Sequence, residues 1–133
     1  MLFVFTVVWI LTMVMIITDV TFQSTCNTDN KPSCSEDTRL CGKNNSWGNC
    51  VALCKCPNQQ ACTTDTDHKV QVKRGPFQLT ETYYTCKNVS TMSDCQSNAK
   101  AMSGTSESTY KIMCKCDDTY KPSAPTNWKF ICG

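Results

Sequence analysis

Cysteine placement constrains this chain more than any other feature. Twelve cysteines lie between Cys26 and Cys132, none precedes residue 26, and only Gly133 follows the last. Thiols at that density persist as disulfides only where the surroundings are oxidising, so the sequence points to a secreted, extracellular protein. Residues 2–17 carry no charge, and the first charged side chain is Asp19. An uncharged apolar run of this length at the N-terminus has the character of an export signal. Residues 1–24 are therefore expected to be a signal peptide and residues 25–133 a single composite cysteine-rich domain.

Beyond the leader, cysteine makes up about a tenth of the chain, the range of disulfide scaffolds. Other apolar residues are sparse: Val51, Leu53, Val70, Val72, Phe77, Leu79, Ile112, Met113, Phe130 and Ile131 are most of them. Such a list does not offset the entropy of ordering over a hundred residues. Six disulfides at about 2–4 kcal/mol each supply the deficit. Charge is mild, with thirteen Lys and Arg against ten Asp and Glu beyond Asp19, a net near +3. Nucleic-acid binding, which wants a strong basic excess, is not expected.

The cysteines fall into two groups: Cys26, Cys34, Cys41, Cys50, Cys54, Cys56 and Cys62, then Cys86, Cys95, Cys114, Cys116 and Cys132. Seven and five are both odd, so full oxidation requires at least one disulfide across the interval between them. Sub-units 26–62 and 63–133 are thus covalently joined. Leu53-Cys54-Lys55-Cys56 is echoed by Met113-Cys114-Lys115-Cys116. The second copy sits in an alternating run, 110–116, which reads as a strand. Two cysteines on one strand face stand about 6–7 Å apart, so each of these pairs should bond different partners. Further strands are expected at 69–73, 79–87 and 128–132, with a turn at Arg74-Gly75-Pro76 and loops at 27–39, 91–108 and 117–127. The fold class is small, disulfide-rich and mainly β: hairpins with finger-like loops and no long helix.

Enzyme chemistry is not expected. His68 is the single histidine, which precludes a histidine pair or a His-based zinc site, and no nucleophile elbow occurs. Neither a cofactor nor a metal is called for, because Cys-Lys-Cys in an oxidising compartment reads as disulfide. Asn44-Asn45-Ser46 and Asn88-Val89-Ser90 are N-glycosylation sequons. Binding is the remaining role. Lys69, Gln71 and Lys73 would share a strand face with Arg74 at the adjoining turn, a cationic finger suited to an acidic receptor or channel. Lys73-Arg74 is also a dibasic pair that an exposed loop would offer for processing. Trp47 and Trp128 are candidate aromatic anchors or, equally, residues packed against disulfides.

Cys54-Lys55-Cys56-Pro57, Cys62, Tyr84-Thr85-Cys86, Asp94-Cys95, Ile112-Met113-Cys114-Lys115-Cys116 and Tyr120 form an ordered pattern. It resembles the cysteine frame of the centipede venom family scoloptoxin-11 and of the C-terminal region of the growth-factor antagonist Argos, over residues 50–120. Asp94 precedes Cys95 where those proteins carry Pro, Met113 stands in place of His, and Asp117 in place of Pro. The resemblance implies a secreted β-hairpin protein that acts by binding an extracellular partner. The expected function is that of a toxin-like monomer, of venom or salivary type, which modulates a receptor or ion channel. Sequestration of an EGF-like growth factor and protease inhibition through Arg74 or Lys73 are the alternatives.

Overall fold

The computed structural model describes residues 24–124 and 129–133. The segment expected to be a signal peptide, up to residue 23, and Trp128 lie outside the described residues. Eight short strands form one curled sheet: β1 (Leu40–Asn44), β2 (Cys50–Ala52), β3 (Lys69–Arg74), β4 (Leu79–Thr85), β5 (Met102–Ser103), β6 (Lys111–Ile112), β7 (Tyr120–Pro122) and β8 (Phe130–Cys132). The helical segments among the described residues are single 3₁₀ turns, such as Thr66–His68 and Val89–Thr91. The expected fold class is the observed one.

Strand order is β2-β1-β4-β3-β7-β8-β5-β6. Each half of the chain contributes four strands, and the second half repeats the order of the first in reverse. Bonding in the two Cys-Lys-Cys steps repeats as well. The Leu53 and Cys54 amides both donate to the Cys41 carbonyl, at 2.7 and 3.3 Å. Sixty positions on, the Met113 and Cys114 amides both donate to the Ala101 carbonyl, at 2.8 and 3.5 Å. Lys55 bridges Ser33 in parallel as Lys115 bridges Asp94. Cys34–Cys54 and Cys95–Cys114 close the two steps, and Cys56–Cys86 and Cys116–Cys132 follow them.

The halves join through one parallel pairing, Val72 with Tyr120, while the hairpin pairings are antiparallel. Parallel joining with reversed order turns equivalent residues to opposite faces of the continuous sheet. Gly42, paired with Ala52 and Tyr84, faces outward against cysteines. Its counterpart Met102, paired with Ile112 and Phe130, faces inward. The sheet closes on itself where Arg39 bridges Lys111, the Leu40 amide donates to Tyr110 O (3.0 Å) and the Ile112 amide donates to Thr38 O (2.9 Å).

Two cores result. The interior holds Leu40, Val70, Val72, Tyr83, Met102, Tyr110, Ile112, Tyr120 and Phe130. Tyr110 and Phe130 meet edge to face at 5.3 Å, and the Tyr120 hydroxyl donates to Cys114 O at 3.0 Å. The outer layer holds Ala52, Tyr84 and the sulfurs of Cys26–Cys50 and Cys41–Cys62. Cys56–Cys86 is the bond that crosses from the seven-cysteine group to the five, as parity requires.

Several sequence expectations are corrected. The strand expected over 110–116 narrows to β6, because the doubled donation to Ala101 O bends the chain at Met113 and Cys114. Strands β5 and β7 occupy segments expected to be loops. The 128–132 strand is seen at Phe130–Cys132, and 79–87 ends at Thr85.

Candidate binding surfaces

The β1–β2, β3–β4 and β5–β6 loops project from one end of the sheet, since β1, β3, β5 and β7 run toward it and β2, β4, β6 and β8 return. The cysteines that follow β2, β4 and β6, and Cys132 at the end of β8, gather at the opposite end. This loop end and the adjoining outer face of β3 are where the candidate residues lie.

On β3, Val70 and Val72 are buried while Lys69 is exposed and Gln71 and Lys73 half-exposed. Their cross-strand neighbours are Tyr84, Thr82 and Thr80. The two lysines stand about 13 Å apart along the strand. Among the described residues neither forms an ion pair, and both share the outer face of β3 with Gln71.

Arg74 is placed differently. It shares the parity of Val70 and Val72, so it turns to the inner side of the sheet. There its guanidinium pairs closely with Glu107, lies 3.6 Å from Glu81 and 3.2 Å from the Tyr83 hydroxyl, and covers the Tyr110 ring at 5.7 Å. Lys43 reaches the same Glu107 at 2.9 Å. Burial opposes the charge on Arg74, but the Tyr83 hydrogen bond and Glu81 outweigh it and hold the pKa above its ordinary value. Burial likewise works against the Glu107 carboxylate, yet Lys43, Tyr83 and Arg74 together bring its pKa below the usual range. Burial and Glu81 push the Tyr83 phenol up, so it stays neutral. Lys43, Arg74, Glu81, Tyr83 and Glu107 thus form one network that ties the β5–β6 loop beneath the first two hairpins.

Two consequences follow for the dibasic pair. Lys73 and Arg74 lie in a paired strand rather than a loop, so the folded chain does not offer them for processing. Arg74 is occupied internally and is not a finger cation. Glu107 was invisible to sequence patterning, although the alternation Val70, Val72, Arg74 already placed Arg74 inward.

The apices carry the large exposed apolar residues. Trp47, 85% exposed, sits at the β1–β2 turn and rests against no disulfide. Asn45 shapes that turn by accepting from the Trp47 and Asn49 amides, each at 3.0 Å, and Gly48 adopts a positive φ of 79°. Phe77 (84%) and Leu79 (66%) mark the β3–β4 turn. That turn opens at Gly75, whose φ is 70°. A cleft of about 480 Å³ separates it from Pro122, Ser123 and Ala124.

The two sequons lie at opposite ends. The Asn44 side chain, near the loop end, accepts from the Tyr84 hydroxyl at 3.1 Å. Asn88, beyond β4, accepts from the Ser90 amide (2.8 Å) and hydroxyl (2.5 Å) and caps a 3₁₀ turn. His68 contacts Asp65 at 2.7 Å within another capped turn. Sulfurs of Cys34, Cys56 and Cys86, of Cys41, Cys56 and Cys62, and of Cys95, Cys116 and Cys132 cluster closely. All twelve cysteines are engaged in disulfides, so these clusters offer no thiolate to a metal.

Comparisons with protein-family models, with curated proteins and with solved structures find no match to this chain.

Proposed function

We propose that this is an extracellular binding protein of the toxin type, which modulates a membrane receptor or ion channel through the outer face of β3. The observation that carries the reading is the pair Lys69 and Lys73. They stand on one face of a strand braced on both sides by β4 and β7, with Val70 and Val72 anchoring it from beneath. Six disulfides hold that surface in its bound geometry before contact, which lowers the ordering cost of binding. Two solvated cations favour an acidic partner and speed encounter with it. The resemblance to scoloptoxin-11 venom proteins supports the same reading. Protease inhibition loses its support, because Arg74 is committed to Glu107 and Lys73 lies in a paired strand.

The test is binding of labelled secreted protein to membranes from excitable and non-excitable cells, with K69A/K73A alongside. The double variant is expected to keep its six disulfides and to lose about tenfold in association rate at low salt. Equal binding by both proteins at low salt would remove β3 as the contact surface.

A further inference from the structure

We propose that Asn44 is N-glycosylated and that its innermost N-acetylglucosamine seats in the cleft beside it, extending the cover over the outer face of β1. The inference does not depend on Lys69, Lys73 or a protein target.

Three observations meet here. First, the sequon Asn44-Asn45-Ser46 lies at the end of β1 with its reactive groups left over by the fold. Asn44 Oδ1 accepts from the Tyr84 hydroxyl at 3.1 Å, while Nδ2, the atom that takes a sugar, donates to no described residue. Ser46 is exposed, and its hydroxyl forms no hydrogen bond among the described residues. Second, Asn44 opens onto a cleft of about 330 Å³, lined also by Thr25, Asn27, Asn49, Thr64 and Tyr84. A volume at the low end of ligand clefts, about 300–1,000 Å³, has room for one sugar ring. Its hydroxyl and carboxamide walls offer donors and acceptors to the sugar's hydroxyls and acetamido group. Third, Asn44 shares the parity of Gly42 and so faces the outer layer. The sulfurs of Cys26, Cys50 and Cys62 cover Gly42. Two residues further along β1, the cleft stands where such cover would continue.

Attachment is a substitution without redox change. Nδ2 attacks C1 of the first sugar of a lipid-pyrophosphate-linked oligosaccharide, the C1–O bond to phosphate breaks, and the lipid pyrophosphate leaves. Nδ2 gives one proton to the transferase and keeps the other, and Oδ1 can still accept from Tyr84. A sugar tethered in the wall of its own cleft meets that cleft at high effective concentration, so modest complementarity suffices. At Asn88, by contrast, Oδ1 is taken up by the Ser90 amide and hydroxyl of its own turn.

The experiment is secretion of the full chain from a eukaryotic cell line, with glycopeptide mass mapping. Hydrogen exchange follows, after enzymatic trimming to the innermost sugar. The parent is expected to carry the sugar at Asn44, and S46A to lack it there while keeping six disulfides. S46A leaves Asn44 and its Tyr84 bond in place, so the comparison isolates the sugar. Amides 26–27 and 48–50 border the cleft and should exchange about fivefold more slowly in the parent than in S46A. The β6 and β8 amides should exchange alike in both. Three outcomes would overturn the inference: an unmodified Asn44 in the secreted protein, a modified Asn44 with equal exchange at the cleft amides, or slowing spread evenly over the chain.

Discussion

The two halves of the molecule use one hairpin plan and stabilise it by different means. At Gly42 a side chain is impossible as the sheet stands, since a Cβ would lie 2.6 Å from the Cys26 sulfur and 2.7 Å from that of Cys50. At the equivalent Met102 a full thioether side chain fills the interior with no exposure. Cys41, bonded to Cys62, corresponds to Ala101, and Cys50 corresponds to Tyr110, which packs on Phe130. The parallel join between β3 and β7 explains the exchange. It turns the second half's hairpin face into the closed interior, where apolar packing suffices. The matching face of the first half is left outside, with no second sheet to cover it. There the chain lays down residues 24–27 and 62–64, fastened by Cys26–Cys50 and Cys41–Cys62. Where a face lacks a packing partner, sulfur takes the place of side-chain volume.

That contrast can be broken most forcefully from the inside. Phe130→Ala removes a buried ring from the packed half and should cost about 3–5 kcal/mol in chemical denaturation of the oxidised protein. At the equivalent pair of positions, opposite volume changes should both destabilise. Met102→Ala opens a cavity worth about 2–5 kcal/mol, while Gly42→Ala overpacks the sulfurs at about 1–3 kcal/mol. Tolerance of Gly42→Ala without loss of the Cys26–Cys50 bond, followed by mass mapping, would refute the packing account of the outer layer.

The network between the halves gives a smaller, pH-marked effect. Glu107 is held below the ordinary carboxylate range in the fold, so its contribution is full above the unfolded value of 4.5 and is lost as pH falls through the lower folded value. Glu107→Gln should cost about 1 kcal/mol at neutral pH and flatten the acid limb of stability below about pH 4.5. Smallest is Met113→Ala. Met113 is half-exposed, whereas its counterpart Leu53 packs against the interior core. The Met113 change should stay within about 0.5 kcal/mol, and Leu53→Ala should exceed it clearly by thermal melt.

Much of this plan was legible in the cysteines. Odd parity demanded a crossing disulfide, and Cys56–Cys86 is that bond. The Cys-Lys-Cys echo marked a true repeat of hydrogen bonding. Residue type found β3 and β4, the second through its β-branched and aromatic side chains. It missed β5 and β7, because two or three residues carry no period and Pro122 argues against a strand; pairing with neighbours defines them instead. The face reversal was not legible, since it depends on a single parallel contact between Val72 and Tyr120. Arg74 belongs to β3 and not to the turn, so it shares the inner face of Val70 and Val72; its partner Glu107, 33 residues away, is a tertiary fact. For Trp47 the sequence allows anchor or core alike, and only the turn built by Asn45 decides that it is exposed.

The most direct test of the claim that sulfur covers the outer hairpin face of the first half, where packing covers the equivalent face of the second, is hydrogen exchange on C41A/C62A. Exchange is expected to rise sharply at the β1–β2 amides, residues 41–54, while the β5–β8 amides keep their protection. Equal loss of protection in both halves, or none in either, would contradict it.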